Sequence, residues 1–294
     1  MIIALTEIRV HSLISVRTFP GSASQPSYAI PPPTTALGAL AKSWLLYVRK
    51  ECRELVEQGG KVYSAATRFL ETINLRYIAV GLKMGSIPPK VVGQPTRLMT
   101  GIYQSLKTRE EWASSLRLHD FFGPYVVGYS SYPGQPMILY LAVEGLSNDL
   151  LGELRAALWS VNRLGSRESV VSVDRVVMKS VSAHELEAGS EVNFVNPLPT
   201  DYIEILNGSR VFTEETIYPE TMDEWMNHFS RDVDHYTPPV KIMVYPLDVA
   251  RARLRRRCLA IELDNELADL LGISPPKLRR LAPKIVIPLH EASR

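Results

Sequence analysis

The chain has 294 residues, enough for one large domain or two modest ones, and its apolar fraction of 46% suffices for a buried core. No run approaches the roughly 20 apolar residues that a membrane span needs, and the two cysteines, Cys52 and Cys258, have neither zinc-site spacing nor the number for a disulfide framework. The net charge of +2 hides an uneven spread: residues 1–100 carry +7, 101–180 are neutral, 181–240 carry −10 and 241–294 carry +5, so the ends suit a polyanionic partner and the middle another role.

The opening residues, Met1 to Glu7, lack a basic region ahead of their short apolar stretch, so no signal peptide is read and a cytoplasmic protein is expected. Glu7-Ile8-Arg9-Val10-His11 alternates polar and apolar residues and predicts a strand. A loop rich in Pro, Gly and Ser follows from Pro20 to Pro33, and Thr34 and Thr35 are expected to cap a helix. Leu37, Ala41, Trp44, Val48, Cys52 and Leu55 recur at helical spacing, with Gly59-Gly60 as the stop and Lys42, Arg49 and Arg53 on another face.

A second strand is predicted over Tyr77–Lys83 and a third over Met137–Val143, a compact apolar run. The roughly fifty residues between them are too many for a hairpin turn and predict an insertion at about 84–136. Ser147 caps a second helix with Leu151, Leu154, Leu158 and Val161 on one side and Gly165 at its end. A fourth strand follows, with Val171, Val173 and Val177 alternating against Ser172 and Asp174.

The order strand, helix, strand, strand, helix, strand is the split unit of an α+β, ferredoxin-like (RRM-like) domain, placed at residues 1–180. Such a sheet carries its helices on one face, and the open face is a frequent RNA platform. Residues 181–294 are expected to form a smaller β-rich part. Within them 181–240 reads as acidic and irregular, Lys241–Tyr245 as a strand, and Asp264–Leu271 as a short helix stopped by Gly272 and Pro275-Pro276.

Two windows concentrate positive charge. Ile8–Lys50 holds Arg9, Arg17, Lys42, Arg49 and Lys50 without an acid; Thr72–Arg109 holds Arg76, Lys83, Lys90, Arg97, Lys107 and Arg109, again without an acid, with Tyr77 and Tyr103 among them. Phosphates repel carboxylates and bases stack on rings, so such stretches suit a nucleic-acid track; a basic surface without a ligand would look the same. Arginine outnumbers lysine 23 to 10, and its planar fork suits phosphates and stacked bases. In Arg251-Ala252-Arg253-Leu254-Arg255-Arg256-Arg257, a strand would align Arg251, Arg253, Arg255 and Arg257 on one face at about 6.8 Å spacing, near a single-stranded backbone step. A helix would scatter them, and a charged strand can equally serve to block edge pairing.

Ser27-Tyr28-Ala29-Ile30-Pro31-Pro32-Pro33-Thr34-Thr35-Ala36-Leu37-Gly38-Ala39-Leu40, after Phe19-Pro20, resembles the start of the CRISPR-associated RAMP proteins of the fifth core family. Asn162-Arg163-Leu164-Gly165-Ser166-Arg167-Glu168-Ser169 resembles that family's Arg-Leu-Gly-Ser-Glu-Ser turn, with Arg167 added. The two motifs bracket the first 180 residues. No glycine-rich loop of the kind the wider superfamily carries is found in the C-terminal half, which departs from the pattern.

The resemblance implies a subunit at one end of a helical filament, gripping the 5′ handle of the guide RNA (crRNA) in a type I Cascade complex of archaeal-like subtype. It implies the backbone RAMP subunit and the large subunit as protein partners, no cofactor and no metal, and a thumb hairpin between the second and third strands, here in Met84–Tyr103. The expected RNA-binding residues are Arg17, Tyr28, Thr34, Thr35, Lys42, Arg76, Lys83, Lys90, Arg97, Arg163, Ser166, Arg167, Arg253 and Arg255, with none catalytic. The helix that follows Pro31-Pro32-Pro33 offers free N–H groups to a phosphate, and the Arg163–Arg167 turn offers backbone amides and two guanidinium groups.

The rival expectation is a metal-independent endoribonuclease that processes CRISPR repeat RNA. It needs a base, an acid and a cation, for which His11, Tyr28, Tyr47, Lys107 and His119 are the candidates, though they form no recognisable group. The acids lack metal-ligand spacing, and no phosphate loop, dinucleotide fingerprint or nucleophile elbow speaks for a metabolic enzyme.

Overall fold

The structure is a computed structural model and describes residues 1–16, 24–25, 27–51, 55–97, 124–131, 135–166, 169–230 and 237–289. Strand β1 (Ile2–Val10) leads, past the short β2 (Ser24–Gln25), to helix α1 (Pro33–Ser43). Pro33 opens α1, where its fixed φ is helical and its missing N–H is no loss. Pro32 is the cap, so Thr34 and Thr35 lie inside the first turn and do not cap it, contrary to the sequence-based expectation.

Leu37, Leu40, Ala41 and Trp44 bury one face of α1, as their spacing predicts. The helix then widens into a single π-turn over Trp44–Val48, where the Arg49 N–H donates to Trp44 O at 2.9 Å. It stops there, well short of Gly59-Gly60. Those two glycines, at φ +59 and +77, instead close a hairpin between β3 (Leu55–Gln58) and β4 (Lys61–Ser64). Helix α2 (Ala66–Thr72) then feeds β5 (Asn74–Leu82).

The insertion begins as a ribbon of two strands, to whose outer edge β2 adds in parallel, Ser24 opposite Val126. β6 (Lys90–Arg97) pairs antiparallel with β7 (Pro124–Ser131), Lys90 opposite Ser131 and Arg97 opposite Pro124. Eight pairs make a ladder about 27 Å long. The chain returns through β8 (Met137–Glu144), helix α3 (Asn148–Trp159) and β9 (Val171–Ser180). Ser147 caps α3 by accepting from Leu150 N. Gly165 lies six residues past the end of α3, so it does not terminate the helix as expected.

The first sheet runs β5-β8-β1-β9, every neighbour antiparallel, with α1 and α3 on one face. The other face is not open. Ile3, Leu5, Tyr77, Ala79, Ile138, Tyr140 and Ala142 pack under C-terminal residues that include Val195, Ile261, Leu267, Leu270 and Ile285. The expected RNA platform on that face is therefore buried. The reason lies in the side chains: β8 alternates between two apolar faces, with Leu139 and Leu141 under the helices and Ile138 and Tyr140 under the C-terminal part.

Residues 181–240 are more regular than their sequence suggested. They hold β10 (Ala183–Leu186), β11 (Glu191–Phe194), β12 (Leu198–Pro199), β13 (Ile203–Ile205), β14 (Val211–Ile217) and α4 (Met222–His228), the last with a full capping box between Thr221 and Glu224. Then come β15 (Val240–Pro246), β16 (Ala250–Leu254), β17 (Cys258–Glu262), α5 (Asn265–Leu270), α6 (Pro275–Leu281) and β18 (Lys284–Pro288). One sheet has the order β10-β17-β18-β11-β16-β13 and another β12-β15-β14. The change near residue 180 is a change of sheet within shared packing: Tyr218, Trp225 and Tyr245 belong to the same apolar cluster as Leu37 and Leu139.

A buried polar network ties the two parts together. Asn196 donates from Nδ2 to Tyr77 OH at 3.0 Å and to Val286 O at 2.7 Å, and its Oδ1 accepts from Val286 N at 2.8 Å. Tyr77 OH donates to Pro197 O, and Tyr140 OH to Val195 O at 2.9 Å. With its groups satisfied, such a network fixes which strands meet.

Candidate nucleic-acid interface

Where β1 leaves its sheet, the short stretch Ile14-Ser15-Val16 becomes the meeting point of four segments. Ile14 and Ser130 exchange backbone hydrogen bonds at 2.9 and 2.7 Å, which anchors the foot of the β6–β7 ribbon. The Ser15 N–H donates to Ser169 Oγ at 3.0 Å, and Ser15 O accepts from Ser166 N at 3.0 Å. Ser15 Oγ donates to Gly128 O at 3.0 Å. On the other side the Val16 N–H donates to Ser27 Oγ at 3.1 Å and Val16 O accepts from Tyr28 N at 2.9 Å.

The serines at 15, 27, 130 and 169 are all buried, so each hydroxyl serves as a small polar linker where a larger side chain would not fit. Gly165 is required in this packing. Its φ is +115, and a Cβ there would stand 2.8 Å from both Ser15 O and Val16 Cγ2. Thus the Ser27–Pro33 segment and the 162–169 turn, remote in sequence, close on the same two residues.

The proline segment is held from the C-terminal part as well. The N–H groups of Ala29 and Ile30 donate to the Glu214 carboxylate at 2.5 and 3.0 Å. Burial pushes the Glu214 carboxyl above its ordinary pKa, against the pull of those two bonds. Burial also lifts Tyr28, aided by Glu214 and Glu215, to about 12.

The expected RNA-binding residues divide into groups. Arg17 and Arg167 lie outside the described residues. Tyr28 and Thr34, each 5% exposed, are in the packed interior and present no surface. Thr35 is half-buried, and Ser166 is half-buried with its hydroxyl 3.1 Å from Ser169 Oγ. Arg76 pairs with Glu144 at 2.7 Å and Lys83 with Glu7 at 2.8 Å. Lys90 is exposed at the foot of the ribbon and Arg97 stands seven residues up it. Lys42 and Arg163 are exposed and, among the described residues, have no ion pair.

The arginine row is a strand only as far as Leu254, and an interior one, paired on both sides, so it does not block an edge. Arg251 and Arg253 share Glu191 at 3.3 and 3.2 Å, and Glu204 faces Arg253 across the ladder. Arg255 is exposed in the following turn, Arg256 lies over the Tyr202 ring at 5.2 Å, and Arg257 stands 3.9 Å from Glu185. The row is therefore broken by a turn, and most of its charge is locally answered.

The catalytic candidates do not converge. His11 Nε2 is 2.7 Å from Ser172 Oγ, Tyr28 is buried, Tyr47 OH accepts from Asn162 Nδ2 at 2.8 Å, and Lys107 and His119 lie outside the described residues. A cleft of about 570 Å³ runs between β5 and the 218–222 segment, but Glu144, Glu185 and Glu220 on its wall each have a cationic partner. Among the described residues no three His, Cys, Asp or Glu side chains gather as a metal site, and no helix is long and apolar enough to cross a membrane.

Sequence reading missed Trp159, which ends α3 and is 49% exposed. The signal was available: Trp159 sits one residue beyond Leu158, off the stripe of Leu151, Leu154 and Leu158, and an aromatic off the apolar stripe faces solvent.

No family model and no curated protein matches the chain. Solved structures align with it, and these neighbours are CRISPR-associated proteins. A CRISPR protein from Archaeoglobus fulgidus is 18% identical, covering 90% of this chain and 96% of that one at a TM-score of 0.47. A chain of a CRISPR RNA-guided surveillance complex is 13% identical, with 84% and 90% covered and a TM-score of 0.40. A chain of a subcomplex from a type III-A CRISPR-Cas interference complex is 8% identical, with 99% and 100% covered and a TM-score of 0.31. At these values the functional reading rests on the chain's own residues.

Proposed function

We propose that the chain is a non-catalytic guide-RNA-binding subunit of a type I CRISPR interference complex, with a ferredoxin-like first domain that grips the crRNA 5′ handle. The observation that carries this reading is the junction at Ser15-Val16. The two segments that resemble the fifth core RAMP family, Ser27–Leu40 and Asn162–Ser169, meet there at the foot of a hairpin ribbon.

In this reading the ribbon is the base of the thumb, Lys90 and Arg97 reach RNA along it, and Lys42 and Arg163 hold phosphates beside the junction. Arg163 is exposed and has no ion pair among the described residues, and it stands next to a turn whose Leu164 and Ser166 N–H groups are engaged, so it can meet a phosphate without breaking a described ion pair. The backbone RAMP subunit and the large subunit are the proposed protein partners, and the region 181–240, which carries −10 in sequence, is proposed to face one of them.

The test is a gel shift with labelled CRISPR repeat RNA and purified full-length chain in EDTA. A shifted, intact RNA is the expected result. Cleavage at one position without metal would replace this reading by repeat processing, and no shift at low salt would remove RNA from the account.

A further inference from the structure

Near the junction the surface changes character. Leu13, Tyr47, Trp159 and Val170 are 41%, 50%, 49% and 43% exposed, and they gather at one end of the helix layer. The bonding shows the grouping. The Asn162 side chain donates to Tyr47 OH, while Asn162 O accepts from Val171 N at 3.0 Å. Val170 forms a bridge with Arg163, and the Val170 N–H donates to Ser12 Oγ at 2.9 Å. Ser43 Oγ donates to Ser160 O at 3.3 Å, which fastens the end of α1 to the end of α3 beside Trp159.

Exposed large side chains scattered singly need no explanation, but a cluster does. Cations surround this one. Arg155 lies one turn before Trp159 on the same side of α3, and Arg163 follows four residues after it; neither has an ion pair among the described residues. No acid occurs from Ile8 to Lys50 or from Leu154 to Ser166.

We infer that Tyr47 and Trp159 are a stacking platform for unpaired bases of single-stranded RNA, with Arg155 and Arg163 holding the phosphates on either side. The inference rests on the RNA-binding reading above and adds to it a site on the outer surface of the helix layer. Two features favour RNA over a protein partner. Rings occur together with cations that have no ion pair among the described residues, the combination a charged backbone with stackable bases requires, and Glu153, the acid that faces the turn carrying Tyr47, is already taken up by Arg49 and Trp44. Tyr47 is also pinned at its hydroxyl edge by Asn162, so the ring is oriented before anything binds, and among the described residues neither ring stacks on another ring.

The experiment titrates the full-length chain with fluorescein-labelled single-stranded CRISPR repeat RNA in EDTA, over a range of salt, for wild type, Tyr47→Ala, Tyr47→Phe, Trp159→Ala and Arg163→Ala. Thermal melts confirm that each variant is folded. Tyr47→Ala and Trp159→Ala are each expected to weaken binding about tenfold or more without changing the salt slope, because stacking releases no counterions. Tyr47→Phe keeps its ring and is expected to bind within about twofold of wild type. Arg163→Ala is expected to lower the slope by about 0.7. If wild type binds and the alanine variants at 47 and 159 bind equally well, the platform is refuted while RNA binding stands, and the patch is then a protein-docking surface. If wild type does not bind, both readings fall.

Discussion

The two layers that flank the first sheet bury similar apolar faces yet differ at their outer surfaces. The helix layer ends in cations that have no ion pair among the described residues, Lys42, Arg155 and Arg163, beside Tyr47 and Trp159. The C-terminal layer is richer in arginine, but Glu191 and Glu204 stand on either side of Arg253 and Glu185 near Arg257. A row of arginines in a sequence is thus a poor guide to free positive charge. What matters is which acids the fold brings opposite them, and cross-strand register decides that.

The largest expected effects test whether both layers are integral. Tyr140 and Leu141 are neighbours on β8 that point to opposite faces. Leu141→Ala should cost about 2–5 kcal/mol under the helices through lost contacts and a cavity. Asn196→Ala on the other side should cost about 3 kcal/mol, because it leaves the buried Val286 N–H without a partner and takes a bond from Tyr77. Tyr140→Phe removes one hydroxyl and should cost about 1–2 kcal/mol. Chemical denaturation of the three variants checks this. A C-terminal layer that unfolds by itself would show Asn196→Ala as an earlier, separate transition while Leu141→Ala shifts another.

Part of the first 180 residues was legible. The strands β1, β5, β8 and β9 and the helices α1 and α3 follow from period-2 and helical spacing, and Ser147 caps α3 as its type and place predict, whereas the β3–β4 hairpin and α2 were not foreseen. The covered second face was legible too, but misread. Met137–Val143 is an unbroken apolar run, and a strand with one wet face would alternate. The helix extended to Leu55 failed for another reason: Leu55 lies in β3 (Cys52 is outside the described residues), so the apolar spacing past Arg49 was coincidence, while Gly59-Gly60 was a hairpin turn, a role the same two residues fill equally well.

The site was legible only in pieces. Each motif was visible, but their meeting at Ser15-Val16 depends on hydrogen bonds across more than 150 residues, as between Ser15 and Ser169. Glu214, which holds Ala29 and Ile30, carries no local sign of that role; within its own segment it looks like a surface acid next to Glu215. Ion pairing of the arginine row was equally hidden, because Glu191 lies some sixty residues away and joins it only through the pairing of β11 with β16.

The next effect in size compares the two sets of arginines. Arg163→Glu should weaken repeat-RNA binding severalfold at low salt and lower the slope of log affinity against log salt by about 0.7 or more. Arg253→Glu should change both much less, because Glu191 and Glu204 already offset its charge. Equal losses in a salt titration would mean that RNA extends over both layers and that local pairing does not decide the contact.

The smallest effect concerns pH and the place where α4 of the C-terminal part packs toward the helix side. Burial holds His228 below its ordinary pKa, so the folded state prefers the neutral ring. A base with a depressed folded pKa contributes stability that is fully present above its unfolded value, about 6.5, and is lost as pH falls through the window below it. His228→Gln should therefore flatten the loss of stability on acidification just below pH 6.5, by less than about 1 kcal/mol, while leaving neutral-pH stability nearly unchanged. Thermal melts of both proteins between about pH 7.5 and 5 measure this. Parallel curves would show that His228 does not set the acid sensitivity in this window; Asp201, Asp248 and Asp264, whose pKa values are lowered, do not contribute there, because their share is lost only below the ordinary carboxylate range.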